Sequence, residues 1–425
     1  MEELFRREPP IVPALDFETI RPISAVGRGA KGVVFLAKDE SRDENGIFAL
    51  KVISKDLLQK NAKAVKNDGF GECKRVLFEQ QVLSRFDHPF LPRLRGVLET
   101  EKIIAYAIPY CSGGNLHSVR KRQSEQMFSD DSIRFYAVEL VLALEYLHSL
   151  GIVYRDLKPD NIMIQDNGHI MLVDFDLSKK LNPKSPRSVS CNSSPSSDPV
   201  TFRRKRRISR FYSFCSSGIR PSDSEFEPDN SSGTESDSVE KSNSFVGTEE
   251  YVSPEVISGN GHDFSVDWWS LGVVLYEMLY GKTPFKGENR KETFYRVLTK
   301  TPELTGEKTA LRDLIGKLLE KDPNRRIGLE EIKGHDFFRG FNWDMVLEIS
   351  RAPFIPETEA RDTDGIKKID VESFVHGIFF EKDEEKNKVA DDKKGEENVD
   401  NKGVWVEKLS HRTQHPIDTE NFLIF

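Results

Sequence analysis

Hydrophobic and polar positions along the chain fall into blocks of different period. From about residue 17 to 181 the pattern is that of a packed unit. "AVGRGAKGVVFLAKD" (25–39) reads as a strand, a Gly-rich turn and a second strand, and "FALKVIS" (48–54) as another strand. "ECKRVLFEQQVLSRF" (72–86) has helical spacing at Val76, Glu79, Val82 and Leu83. "SIRFYAVELVLALEYLHSLG" (132–151) predicts a long helix that stops near Gly151, and "IMIQDNGHIMLVDFD" (162–176) a hairpin turning at Asn167-Gly168. Between about Asn182 and Lys241 the pattern breaks into Ser, Pro and charge with few branched aliphatics. Such a stretch cannot bury enough apolar surface to offset an ordering cost of about 1–2 kcal/mol per residue, which predicts a disordered insertion. Packing resumes at "SFVGTEEYVSPEVIS" (244–258) and runs through the helix "VDWWSLGVVLYEMLYG" (266–281) to "GHDFFRG" (334–340). A polar tail follows, closed by the aromatic "NFLIF" (421–425). The division is an extension over 1–16, a domain over 17–338 interrupted at 182–241, and a tail over 339–425.

Composition narrows the classes. With 37% hydrophobic residues among 425, the chain has material for a sizeable core. The 62 basic residues against 70 acidic ones, net −8, do not describe a protein that coats nucleic acid. Cys73, Cys111, Cys191 and Cys215 show no C-x-x-C pairing, so zinc and disulfide-framework readings are poor and a reducing compartment fits. "MEELFRREPP" carries acid where a signal peptide has positive charge, and the apolar run Leu271 to Tyr280 contains Glu277 and is too short to span a bilayer. The expected location is the cytoplasm, with the nucleus or a peripheral place at the plasma membrane as alternatives.

The chemistry-bearing residues come in a fixed order. Gly27, Gly29 and Gly32 have G-x-G-x-x-G spacing, which lets backbone approach phosphates closely. A dinucleotide fold uses the same spacing, but there a helix follows, whereas here a second strand and then Lys51 follow. Lys51 and Glu79, taken together, are the pair expected to hold the α- and β-phosphates of ATP. "YRDLKPDN" is more specific: Asp156, Lys158 and Asn161 have the spacing of a phosphotransfer catalytic loop. Asp156 would take the proton of the acceptor hydroxyl, Lys158 neutralise the migrating phosphoryl group, and Asn161 bind one Mg²⁺. Tyr154 stands where His is usual, at a packing position. Asp174 in "DFD" is the remaining metal ligand, and Asp176 replaces the Gly of the usual triplet. Beyond the insertion, Ser253-Pro254-Glu255 ends an activation-like segment, Glu255 can pair with Arg326, and Asp267 is the candidate buried acid that braces the catalytic loop.

These motifs, over about 17–181 and 243–340, resemble a serine/threonine protein kinase of the AGC group. The D-F-D triplet and the long insertion before "SFVGTEEY" resemble its plant AGC-VIII subfamily. The resemblance implies an α+β bilobal kinase fold, ATP with Mg²⁺ or Mn²⁺, protein substrates and a place in stress or oxidative signalling. It further implies nucleotide contacts at Val26, Val34, Ile108 and the hinge Pro109 to Cys111. Ser244 would be the activation-loop phosphosite with Arg155 as its partner. Thr248 would touch the catalytic loop, and Asp160 and Glu277 would read a basic residue upstream of the target hydroxyl. Asn115 stands where basophilic relatives often carry Glu. "RAPFIP" around Phe354 would return to the nucleotide site. Phe422 and Phe425 form an F-x-x-F motif that would dock beside the helix carrying Glu79, or recruit an upstream phosphoinositide-dependent kinase.

Two other classes compete with this reading. A nucleotide-binding pseudokinase scaffold usually lacks at least one of Lys51, Asp156, Asn161 and Asp174, and all are present here. "RRKRR" at Arg203 to Arg207 is a single basic run in the insertion, so no specific nucleic-acid partner is expected from it. It is better read as a weak contact for anionic lipid or an import receptor, or as a solvated patch.

Overall fold

The computed structural model describes residues 12–41, 46–64, 70–181, 242, 244, 246–348, 352–356, 369–386 and 423–424. The predicted insertion at 182–241, its basic run, Phe422 and Phe425 lie outside them. Short runs of Ile, Val and Phe give three consecutive antiparallel strands, β1 (Ile20–Arg28), β2 (Gly32–Asp39) and β3 (Ile47–Ser54). Helices α1 (Lys55–Ala64) and α2 (Phe70–Leu83) follow, then strands β4 (Gly96–Glu99) and β5 (Ile103–Ile108). The sheet order is β1-β2-β3-β5-β4. Gly32 is required where it stands, because a Cβ there would meet the Val52 carbonyl oxygen at 2.0 Å. The extension is not separate from this sheet: Leu15 N–H donates to the Val97 carbonyl at 2.7 Å, along β4.

Val76, Glu79, Val82 and Leu83 are all buried, as their spacing predicts. The three apolar ones share a core with Ile53, Ile104 and Tyr106, which seats α2 on β3 and β5.

The second lobe is mostly helical. It contains α3 (Leu116–Lys121), α4 (Asp130–Ser149), the short strands β6 (Ile152–Val153), β7 (Ile162–Ile164), β8 (Ile170–Leu172) and β9 (Lys179–Lys180), then α5 (Pro254–Ser258), α6 (Ser265–Tyr280), α7 (Arg290–Thr299), α8 (Ala310–Leu318) and α9 (Leu329–Lys333). The α4 helix starts on Ser129, whose side chain accepts from Ser132 N–H, and the chain leaves it through Gly151 at φ 75. β7 and β8 form the expected hairpin, Ile162 opposite Leu172, with Gly168 at φ 85 in the turn. Every residue of α6 from Val266 to Met278 is buried, so this mostly apolar helix is enclosed on all sides and forms the axis of the lobe. Among the described residues no helix is long and apolar enough to cross a membrane.

Two tail elements depart from the sequence reading. Helix α10 (Val371–Lys386) begins inside what reads as a polar tail. Its Val371, Phe374, Val375 and Ile378 cover the sheet face opposite α2, packing with Phe35, Leu50 and Val52; the Phe374 and Phe35 rings meet edge-on at 5.3 Å. The strand β10 (Leu423–Ile424) runs parallel to the outer edge of β1, with Leu423 opposite Gly27 and Ile424 opposite Arg28. These two residues, which separate the phenylalanines of F-x-x-F, therefore lie beside the Gly-rich turn and not beside the helix carrying Glu79. The Ala352 to Pro356 segment packs just past the hinge and on the β7–β8 turn: a Cβ on Gly113 would meet Pro356 Cγ at 2.7 Å, and one on Gly168 would meet the Phe354 carbonyl oxygen at 2.4 Å.

Candidate active site

The predicted loop residues converge between the lobes. Asp267, fully buried at the start of α6, accepts hydrogen bonds from Tyr154 N–H at 2.9 Å, Arg155 N–H at 2.8 Å and the His148 ring at 2.8 Å. This is the bracing role expected of it. Arg155 is held at φ 71, a conformation that a side chain with a Cβ adopts only under constraint. At the next residue the Asp156 carboxylate is fixed from three directions. It receives Thr248 Oγ1 at 2.6 Å on one oxygen, and Lys158 Nζ at 2.9 Å and Asn161 Nδ2 at 3.0 Å on the other. Thr248 also accepts from Lys158 at 3.0 Å, so the segment beyond the insertion and the catalytic loop are tied at the reacting group.

Lys51 on β3 contacts Glu79, the acid assigned to it, at 3.1 Å from Oε1, and also reaches Asp174 Oδ1 at 3.2 Å. Burial opposes its charge, but Asp174 and Glu79 outweigh burial and raise its pKa well above the usual lysine value. For Glu79 burial dominates and raises the pKa despite Lys51, whereas for Asp174 the burial penalty is overcome by Lys51 and the carboxyl lies below its usual range. Asp174 stands at φ 61, next to Phe175, whose fully buried ring packs on Phe86 at 4.9 Å and Tyr154 at 5.2 Å. Tyr154 is thus a packing residue, as expected of it. The residues with positive φ in this region are Arg155 and Asp174, so position 176 has no steric need for glycine. Asn161 and Asp174 are drawn together by the bond from Val173 N–H to the Asn161 carbonyl at 3.0 Å. The Asp174 carboxylate and the Asn161 amide oxygen are hard-oxygen donors of the kind that suits a divalent cation completed by phosphate and water.

Two small apolar clusters flank the hinge that follows Ile108. One is on the sheet, with Ile23, Val26 and Leu36 against Val34 and Tyr110; the other is on the hairpin side, with Cys111, Met163, Met171 and Val173. Cys111 is buried and its thiol is pushed up to about 12 by burial, with Asp166 adding to the effect. A thiol with that pKa is a packing group, not a reactive one.

In the activation segment Ser244 lies against Arg155, whereas on the substrate side Asn115 and Glu277 are engaged inside the lobe. Arg155 Nη1 donates to Ser244 Oγ at 2.5 Å and to Ser242 Oγ at 3.2 Å, so Ser244 sits against its expected partner. Asn115 caps α3, accepting from Ser118 N–H at 2.9 Å, and is buried in that task. Glu277 is also buried: it pairs with Arg120 at 2.8 Å and accepts from the Tyr251 hydroxyl. Asp160 is the half-exposed member of the expected acid pair. Burial raises the Glu277 pKa, and Asp160 and Glu250 add to the rise, so three acids share one neighbourhood.

A fold of this kind, with a lysine–glutamate pair over a braced Asp–Lys–Asn loop, defines a phosphotransferase site. Residues 20–200 and 230–338 match the family model described as protein kinase domain. The chain belongs to the protein kinase family, as a serine/threonine kinase of the plant AGC-VIII type that uses ATP and a divalent cation. It is 57% identical over 420 residues to serine/threonine-protein kinase OXI1 of Arabidopsis thaliana, covering 97% of this chain and 98% of that one. It is 45% identical to serine/threonine-protein kinase UCNL of the same plant, over 80% of this chain and 84% of the relative. Phototropin-2 of rice is 40% identical over 77% of this chain, which spans 32% of that longer protein. The scaffold reading without phosphotransfer finds no support among them.

Sequence reasoning missed three contacts that this geometry depends on: Lys31 with Asp176 at 3.2 Å, Arg120 with Glu277, and His148 with Asp267. Each joins residues far apart in the chain, and no local spacing marks them. The pair it did anticipate, Glu255 with Arg326, is bidentate at 2.6 and 2.9 Å and almost wholly buried. Arg326→Ala leaves that carboxylate without its partner, so equilibrium urea unfolding should show a loss of about 3–5 kcal/mol, partly recovered in Glu255→Leu/Arg326→Met. A loss below about 1 kcal/mol would contradict this assignment.

Proposed function

We propose that the chain transfers the γ-phosphoryl group of Mg²⁺-ATP to Ser or Thr hydroxyls of proteins with a basic residue upstream of the target, under control of Ser244 and the C-terminal F-x-x-F motif. The observation that carries the reading is the Asp156 carboxylate, oriented by Thr248, Lys158 and Asn161. Held this way, Asp156 aligns the acceptor hydroxyl and receives its proton as the oxygen bonds to the γ-phosphorus and the bond from that phosphorus to the β,γ-bridging oxygen breaks, with ADP as the leaving group. When bound, the nucleotide and cation supply the transferable phosphoryl group and neutralise its charge, with Asn161 and Asp174 as the cation's protein ligands and Mn²⁺ a workable substitute. Lys51, kept in place by Glu79, aligns the α- and β-phosphates. Gly27, Gly29 and Gly32 give backbone access to them, and Val26, Val34, Ile108, Pro109 and Cys111 border the base. Preference for a basic residue is supported by the acid neighbourhood of Asp160, Glu250 and Glu277.

Phosphate on Ser244 would meet Arg155, whose backbone is already fixed by Asp267, so the modification would tie the activation segment to the catalytic loop. Leu77 on α2 is 57% exposed, a large apolar side chain on the helix that carries Glu79, and it supports docking of an aromatic motif there, for which Leu423 and Ile424 would have to leave their pairing with Gly27 and Arg28 on β1.

Asp156→Asn and Lys51→Met change charge with little volume. Both should lower transfer of labelled γ-phosphate to a serine peptide by more than about a thousandfold while the melting transition is retained. Near-normal transfer by the Asp156 variant would refute the assignment. Phe422→Ala/Phe425→Ala, prepared with Ser244 unphosphorylated and phosphorylated, should lose activity in both forms if the motif docks in cis. It should lose only phosphorylation by the upstream kinase if the motif recruits that enzyme. Unchanged activity together with unchanged Ser244 phosphorylation would remove both roles.

A further inference from the structure

Lys31, in the Gly-rich turn between β1 and β2, meets Asp176 across the cleft. Its Nζ lies 3.2 Å from Asp176 Oδ2, and the side chains are 19% and 27% exposed. Asp176 projects from a rigid base, because the Phe175 ring before it is clamped between Phe86 and Tyr154. Lys31 is anchored differently: its carbonyl accepts from Ser54 N–H at 3.1 Å, and Gly29 N–H donates to the Gly32 carbonyl at 2.9 Å to close the turn. On the outer side of the same turn the Arg28 guanidinium lies over the Phe379 ring of α10, 4.9 Å from its centroid. The Gly-rich turn is therefore tethered on one side by the tail helix and on the other by the residue that replaces glycine after Phe175. Since position 176 has no backbone need for glycine, the aspartate side chain is what distinguishes it.

We infer that Lys31 and Asp176 form a latch that holds the Gly-rich turn over the phosphate end of the cleft and slows nucleotide exit. Both are positioning residues, distinct from the proton acceptor Asp156 and the cation ligand Asp174. The inference rests on nucleotide lying between the Gly-rich turn and Lys51, as in the proposed phosphotransfer reaction. A half-buried ion pair of this length corresponds to about three- to tenfold in the closing equilibrium. A lysine that only touched phosphate would act independently of residue 176.

The test is a double-mutant cycle in the full chain with Lys31→Met, Asp176→Asn and both together, at one fixed Ser244 phosphorylation state. Two quantities are read: amide hydrogen exchange over residues 25–33 without nucleotide, and stopped-flow release of a fluorescent ADP analogue with Mg²⁺. Each single variant should speed both by about three- to tenfold and raise the KM for ATP more than it lowers single-turnover transfer, and the double variant should match the singles. Additive effects, or nucleotide-free exchange unchanged in the singles while ADP binding is normal, would overturn the latch alone. A wild-type chain that binds no fluorescent ADP would overturn both the latch and the phosphotransfer reading beneath it.

Discussion

Asp267 enters the first turn of α6 with no solvent exposure and spends its two oxygens on Tyr154 N–H, Arg155 N–H and the His148 ring. A buried carboxylate is costly unless its lone pairs are filled, and here three donors and a helix N-terminus fill them. The return for the molecule is positional. Tyr154 and Arg155 are the residues immediately before Asp156, and Arg155 is held at φ 71, which the chain would not adopt unaided. With that strained step fixed, Tyr154 supports Phe175 from below, Arg155 turns outward to Ser244, and Asp156 faces Thr248 and Lys158. The reacting carboxylate, the phosphosite contact and the aromatic base of Asp174 all descend from one anchored backbone segment.

Lys51 joins this anchored lobe to the sheet. It is the group that Glu79 of α2 and Asp174 of the larger lobe both reach, so the position of α2 is legible in whether both contacts are made. In the structure both are made, and the cleft has the arrangement that phosphoryl transfer needs. The tail contributes from outside: α10 covers the sheet, and the Ala352 to Pro356 segment packs on Gly113 and Gly168 beside the hinge. The small lobe is thereby held from the face away from the cleft as well as from within it.

Residues whose role is set by local order are legible in the amino-acid sequence itself. The G-x-G-x-x-G turn followed by a strand, the Asp156, Lys158 and Asn161 spacing, and the Asn167-Gly168 hairpin each carry their geometry within a few residues. Glu255 with Arg326 and Asp267 with the loop are legible through family order, not spacing. What escapes is the pairing of side chains across distant elements, Lys31 with Asp176 and Arg120 with Glu277, because charge type alone does not select one partner from many. Asp176 reads as a departure because glycine's place in a motif suggests a left-handed backbone, whereas the strained residue is Asp174. Helix α10 is hidden by its charged flank, although Val371, Phe374, Val375 and Ile378 have a helix's spacing on one face. The place of Leu423 and Ile424 on β1 has no local signal at all.

The central claim is that Asp267 sets the reacting geometry at Asp156 far more than it sets the affinity for nucleotide. Asp267→Asn tests it most directly, because an amide cannot accept from all three donors at once and would turn its own N–H₂ toward one of them. Quench-flow transfer of γ-phosphate to a serine peptide in a single turnover should fall by about a hundredfold or more, while fluorescent ADP affinity stays within about threefold of wild type. Transfer that remains within about threefold of wild type, or nucleotide affinity that falls as far as transfer does, would contradict the account.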